Sequence, residues 1–403
     1  MNNRDKGRSP FYPGQPVPQE FFTGRLEEVK LIARAINQVS LGKPQAIFLT
    51  GEYGIGKSSL ASLMRYYAEN KYNMLGIHVM LGGAETLDEV AQETVREVIE
   101  SQAFKPAGRE KILNFFGKYI NKLELDTRIG SIGINMEALK VDAPNISNGF
   151  LPFLKNLNNN LAERGNKGIM LIFDEINGIT ENPQFAFFIK SLVDKNALSD
   201  NVLPLLLILC GVKERRYEMI RHHQPVDRIF DIIDIGPMDE NETKDFFRNA
   251  FSTVNIKIED KELEKLYIFS EGFPKIMHIF GDILYWIDDD AIINGNDVNK
   301  GLILTIEDIG RKHIEPQIYN ALKSKDYQSI FKKLGSVEFY FKKRDLEKGL
   351  TENEKNKLKN FLQKMKKLNV LKSGGVSGEY VFTRLIYRSY IVLQNFKDTS
   401  KIV

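Results

Sequence analysis

Cysteine occurs once in 403 residues, tryptophan once and histidine five times. A lone cysteine leaves no partner for a disulfide within the chain and excludes a cysteine-rich zinc site; it fits a reducing, cytoplasmic setting. The histidines are too few and too scattered for a metal cluster. His222 and His223 are adjacent, without the i, i+4 spacing of a zinc-binding HExxH helix, and read as a solvated helix end. Long hydrophobic runs are lacking too. The longest, around 203–209, is well short of the roughly 18 residues that a membrane span needs, so no membrane partner is expected. The opening MNNRDKGRSPFYPGQPVPQ has no apolar stretch of the kind a secretory signal carries.

What is present is a globular composition, 42% hydrophobic and 27% charged, with length for two or three domains. Net charge is only +3, but it is unevenly spread. Residues 323–403 carry 19 Lys and Arg against 8 Asp and Glu, a net +11, while the rest carries 37 against 45, a net −8. A mildly acidic body with a basic tail is a first hint of function.

Prolines at 10, 13, 16 and 18 predict an extended lead-in over 1–20. An amphipathic helix follows from about Phe22, through Val29, Leu31, Ile32, Ala35 and Ile36. Apolar runs predict strands over 45–50, 73–81, 168–173, 203–209 and 231–235. Helical spacing predicts helices over 57–70, 86–102, 107–123, 151–162 and 185–197. The glycine-punctuated alternation of 128–143 reads as a β-hairpin. Strands that are continuous apolar runs, alternating with helices, imply a parallel sheet with helices on both faces. After Pro237 the pattern is helical: 240–253, 260–269 and 274–287. The basic tail reads as helices over 327–334, 343–350 and 351–368, a hairpin around 373–378, and a last helix over 385–393. That order looks like a winged helix. The expected division is a core over 1–237, an α-helical lid over 238–300, and a basic winged-helix domain over 301–403.

Gly51-Glu52-Tyr53-Gly54-Ile55-Gly56-Lys57-Ser58 fits G-x-x-x-x-G-K-[ST], with a strand before it and a helix, continuing through Ser59, after it. A triphosphate needs its charge held without crowding. The three glycines let the backbone curl so that its N–H groups point inward, and the helix start adds positive charge. Lys57 is placed to reach the β- and γ-phosphates, and Ser58 to ligate Mg²⁺ through its hydroxyl. Further on, Ile169-Met-Leu-Ile-Phe-Asp174-Glu175 is an apolar strand ending in two carboxylates beside the loop. Asp174 is the candidate Mg²⁺ anchor, and Glu175 the general base that polarises attacking water.

With these motifs the sequence resembles the AAA+ and STAND group of P-loop NTPases, and in detail the prokaryotic ATPases related to the archaeal ATPase and origin-recognition families. Phe22-Thr-Gly-Arg-Leu-Glu-Glu28 is similar to their motif ahead of the phosphate loop, and Ser270-Glu-Gly-Phe-Pro274 resembles the GxP motif of the helical lid. The resemblance implies that Arg25 lies near the nucleotide and that Pro274 packs on its base or sugar, with Pro18 and Phe22 lining the adenine pocket. The bare residues leave other uses open: Arg25 as a turn cap, Pro274 as a helix-starting N1 proline, and Phe22 as a hydrophobic staple. One departure stands out. The fourth strand ends in Cys210, where such families often carry a small polar residue that senses the γ-phosphate; Lys213 or Glu214 are substitutes. Arg215 and Arg216 lie where an arginine finger can sit, or are solvated helix charges.

The expected function is an ATP-binding and ATP-hydrolysing switch, slow or partner-stimulated. Its ATP or ADP state, with Mg²⁺, would control self-assembly or engagement of a separate effector chain or of DNA. The resemblance makes mobile-element defence, transposition or replication the settings. Lys355, Lys357, Lys359, Lys364, Lys366 and Lys367 on one tail helix favour salt-dependent phosphate contact, or they form the solvated face of a module that binds protein. Two rivals remain: a DNA-binding initiator or regulator in which ATP only locks shape, and a scaffold that never turns nucleotide over.

Overall fold

The computed structural model describes residues 6–101, 146–319 and 321–400. The helix expected over 107–123 and the hairpin over 128–143 lie outside these. The chain forms two compact units: Pro16–Gly236, and the residues up to Gln15 together with those from Pro237 on.

The first unit is built on a five-stranded parallel sheet: β1 (Gln45–Thr50), β2 (Leu75–Met80), β3 (Ile169–Asp174), β4 (Leu205–Gly211) and β5 (Asp231–Asp234), in the order β2-β3-β4-β1-β5. β3 and β4 are buried at every residue. Because alternate side chains point to opposite faces, both faces of the sheet are covered. The described helices are α1 (Leu26–Ser40), α2 (Lys57–Tyr72), α3 (Leu87–Glu100), α4 (Ile146–Ala162), α5 (Pro183–Ala197) and α6 (Lys213–His222). Thr86 and Glu89 form a capping box that starts α3. The fourth strand begins two residues later than its apolar run, because Pro204 has no N–H to give the ladder; its carbonyl accepts from Ile169 instead. It then runs on through Cys210 to Gly211. Helix α4 starts earlier than expected and keeps Pro152 inside it.

The second unit is helical at first: α7 (Glu240–Thr253), α8 (Asp260–Ser270), α9 (Pro274–Ile287) and α10 (Gly295–Ile309), with two-residue strands β6 (Lys257–Ile258) and β7 (Ile292–Ile293) paired in parallel among them; α10 continues through a wide turn at Gly310–Ile314 into α11 (Glu315–Tyr319). The N-terminal lead-in is bolted onto these helices up to Gln15. Phe11 is buried against Phe246, Phe247, Phe251 and His278, its ring centroid 5.0 Å from that of Phe251. Only glycine fits beneath it, since a Cβ on Gly281 would lie 2.2 Å from the Phe11 ring. The tail contains α12 (Lys325–Lys333), β8 (Tyr340–Lys342), α13 (Lys343–Glu347), α14 (Glu352–Lys367), β9 (Leu371–Ser373), β10 (Glu379–Phe382) and α15 (Leu385–Ser400). The three strands form an antiparallel sheet in the order β8-β10-β9. β8 has no counterpart in the sequence reading, because three residues carry no period of their own. The Thr351–Glu354 capping box of α14 is present. Among the described residues, no helix is long and apolar enough to cross a membrane.

Candidate nucleotide-binding site

The phosphate-loop sequence turns between β1 and α2. Gly54 (φ 77°) and Gly56 (φ 100°) occupy the left-handed region, where a side chain is strained. At Gly51 the constraint is space: a Cβ would sit 2.7 Å from the Ile235 carbonyl oxygen. Ile55 is buried and anchors the loop, while Glu52, Tyr53 and Gly54 are exposed. Gly56 caps α2, whose first-turn amides have no carbonyl partner within the helix and carry its positive pole.

Lys57 is the first residue of α2. Its Nζ donates to the carbonyls of Gly51 and Glu52, each at 2.9 Å. Burial lowers its pKa from the ordinary lysine value, with Asp174, Glu175 and Glu52 acting against that shift. An ammonium folded onto the backbone of its own loop is one hydrogen-bond exchange away from an anion held there. Ser58 is half-buried. The Ser59 hydroxyl accepts from the Val17 N–H at 3.1 Å, so this serine fastens the lead-in to the start of α2.

Arg25 is buried and has φ 64°. Its guanidinium donates to the Gly236 carbonyl at 2.5 Å and the Ile55 carbonyl at 3.2 Å, and lies 3.5 Å from Glu28. It thereby braces the loop against the chain leaving β5. Pro18 and Phe22 flank a short turn at Gln19–Phe21, and both are half-buried.

β4 lies between β1 and β3, so the acidic strand end is not the loop's immediate neighbour. Two strand spacings, roughly 10 Å of backbone, separate them, a gap for side chains and a hydrated cation rather than direct contact. Asp174 is 1% exposed. Its Oδ1 accepts from the Glu175 N–H at 2.8 Å, and its Oδ2 lies 3.0 Å from His78 Nε2. Glu175 is exposed with φ 54°, a left-handed strain of the kind that collects at functional sites. Its carboxylate lies over Gly82, where a Cβ would fall 2.6 Å from Oε2. Sequence reasoning missed His78 and Gly82. The available signals were a lone imidazole in an apolar strand and a Gly-Gly pair just past that strand's end.

Cys210 pairs with Leu49 across β1 and β4 and is fully buried; burial first, then nearby Asp174, push its thiol well above the ordinary range. It is a neutral weak donor, not a nucleophile. Arg215 is paired with Glu218 at 2.8 Å and Glu181 at 3.3 Å, Arg216 with Asp227 at 2.6 Å, and Lys213 with Asp234 at 2.5 Å. Both arginines are thus tied within the chain.

Pro274 belongs to the second unit, as the N1 residue of α9. Gly272 before it has φ 65°, and a Cβ there would lie 1.9 Å from the Met238 carbonyl oxygen. Glu271 accepts from the Leu385 N–H at 3.0 Å, and the Arg384 guanidinium stacks 3.8 Å from the Phe273 ring centroid. The GxP segment therefore joins Met238 to the start of α15 within this unit.

The Ser58 hydroxyl and the Asp174 carboxylate are hard oxygen donors, the kind Mg²⁺ takes alongside water and phosphate. Asp174 keeps lone pairs beyond its two hydrogen bonds, so the donor set fits that ion.

No curated protein matches the sequence. Residues 17–132 match the family described as BREX system ATP-binding protein BrxC/D. Among solved structures, the Walker-type ATPase of Pyrococcus abyssi is 17% identical, with 92% of this chain and 96% of that one covered at a TM-score of 0.55. The ORC2 protein of Aeropyrum pernix, solved in ADPNP–ADP complexes, is 13% identical, with 98% and 97% covered at a TM-score of 0.58. At these identities the likeness is one of fold. The chain is similar to AAA+ P-loop ATPases, and to the origin-recognition-like proteins among them, as its motifs imply.

Proposed function

We propose that this chain is an ATP-driven switch. Gly51, Gly54 and Gly56 shape the loop. The backbone of residues 51–59 cradles the phosphates, with Lys57 on the β- and γ-phosphates. Ser58 and Asp174 hold Mg²⁺, which would neutralise charge developing on the transferred phosphoryl group. Glu175 orients the attacking water. Arg25 steadies the loop, and Pro274 reports nucleotide state to the lid. The observation that carries this reading is Lys57: a half-buried ammonium resting on the Gly51 and Glu52 carbonyls, with its positive form supported by Asp174 and Glu175. ATP bound differently in open and closed states would shift the balance between them. Because Arg215 and Arg216 are tied within the chain, turnover is slow until a partner acts.

We read 238–300 as the lid and 301–403 as a winged helix, from the order α12, β8, α13, α14, β9, β10. Its output is self-assembly, a separate effector or DNA. The match to the BREX-system family favours the setting of mobile-element defence over transposition or replication. A second reading, a DNA-binding regulator that uses ATP only to lock its shape, draws support from Lys359, Lys367 and Lys372. These are exposed, and no carboxylate among the described residues pairs with them. Calorimetric titration with ATP and Mg²⁺ tests the primary reading. Binding that is unchanged in Lys57→Ala would remove it. Phosphate release separates the two readings.

A further inference from the structure

The geometry points to His78 as the residue that positions the metal-anchoring carboxylate; the inference rests on the proposed reading of Asp174. β2 and β3 run parallel, with His78 opposite Ile172 and Met80 opposite Asp174. Ile172 and Asp174 share a face of β3, and His78 and Met80 share a face of β2, so His78 and Asp174 are diagonal neighbours on one face. His78 Nε2 lies 3.0 Å from Asp174 Oδ2, and the two side chains are 12% and 1% exposed.

An ionised carboxylate only accepts, so Nε2 carries the proton in this contact. The other oxygen takes the Glu175 N–H. That single bond would leave the carboxylate free to turn about its last torsion, which is broad and two-fold. A donor on each oxygen pins the plane. The imidazole is rigid and comes from a strand fully paired with β3, so the pin is placed by the sheet rather than by a loop. The lone pairs left over are then aimed before any cation arrives. Groups that orient a metal-binding carboxylate from behind contribute roughly 10–100-fold in metal affinity.

The test measures affinity for ADPNP twice, in EDTA and in Mn²⁺, for wild type, His78→Leu and His78→Gln. Leucine keeps volume without a donor; glutamine can present an amide N–H near the position of Nε2. Affinity in EDTA depends on the loop and Lys57, so a wild-type value there also shows that each variant is folded. The expected result is tightening by Mn²⁺ in wild type, a loss of about 10–100-fold of that tightening in His78→Leu, and recovery in His78→Gln. If wild type tightens and His78→Leu tightens equally, the positioning role is wrong while the metal reading stands. If wild type does not tighten, Asp174 is no metal anchor and both fall. Should leucine prevent folding, His78→Asn replaces it: asparagine is too short to span the contact, and tightening equal to that of His78→Gln overturns the proposal.

Discussion

Two sets of basic side chains in this protein behave in opposite ways. Lys57 is one residue, half-buried, held on backbone carbonyls, with its charge supported by acids two strands away. Helix α14 carries many lysines, mostly exposed and largely turned to local partners: Lys355 to Glu352 at 2.7 Å, Lys357 to Asp326 at 2.5 Å, Lys364 to the Ala321 carbonyl. Opposite α14, Lys333 reaches Glu354 at 2.6 Å. The exposed ion pairs among these contribute little to stability, yet each presents a phosphate with a near-neutral couple; Lys364, resting on a carbonyl, keeps its charge. On the proposed reading of Lys57, a count of positive charge says little about where an anion binds. What matters is whether the neighbours of a cation are groups that a phosphate can displace.

The largest effect is expected at the acid end of the loop site. Glu175→Gln keeps size and hydrogen bonding but removes the base, which contributes about 10²–10⁴-fold to a hydrolytic step. Phosphate release should fall by that factor while ATP affinity holds, leaving the bound state trapped. Gly82→Ala is the geometric counterpart, because its Cβ would crowd the Glu175 carboxylate; a displacement of about 1 Å is enough for a loss near 10²-fold. If both variants hydrolyse like wild type, Glu175 is a surface residue and hydrolysis does not depend on it. Lys57→Ala removes charge-assisted hydrogen bonds to phosphate worth roughly 1.5–3 kcal/mol each. Two such bonds predict a loss of about 100-fold or more in ATP affinity, read by calorimetry.

The sequence made the loop and the acid pair legible because each is a contiguous run whose chemistry is local: glycines before a helix, carboxylates at the end of an apolar strand. It could not show what the sheet brings together. His78 and Asp174 are 96 positions apart, and their contact exists only through the register of β2 on β3. The same holds for the lead-in. Prolines make it extended, but the Tyr12 N–H meets His278 Nδ1 at 3.2 Å across 266 positions. The strand order was hidden too. Apolar runs give strands, not the fact that β4 is inserted between the loop strand and the acidic strand.

His278 extends the comparison to a buried base whose burial nothing opposes. Its ring sits among Phe11, Phe246 and the Tyr12 amide, and burial lowers its pKa to about 4. The unfolded chain protonates first, near 6.5. The stability this group contributes is therefore complete above pH 6.5 and is lost as pH falls from there towards 4. At pH 4.5 the loss should be roughly 2–3 kcal/mol. Urea unfolding of the helical unit in wild type and His278→Gln at pH 7.5 and 4.5 measures it. The wild type should lose more than the variant by that amount, and equal losses would mean that the ring is hydrated in solution.

The smallest effect is the one that decides how the α14 lysines work. If paired lysines are electrically silent towards phosphate, Lys355→Ala with Lys357→Ala should hardly change duplex binding. Lys359→Ala with Lys367→Ala should weaken it uniformly across sequences and reduce the slope of log affinity against log salt by about one per residue. Fluorescence anisotropy at two or more salt concentrations reads both. Removing a paired lysine also frees its carboxylate, Glu352 or Asp326, to repel phosphate, so affinity alone does not compare the two variants; the slope isolates released counterions from that repulsion. Slopes reduced equally in the two variants would show that the surface pairs open at no cost when phosphate arrives. An unchanged slope in both would leave the helix as a protein-facing surface, and the contrast with Lys57 would then lie in the kind of partner and not in the pairing.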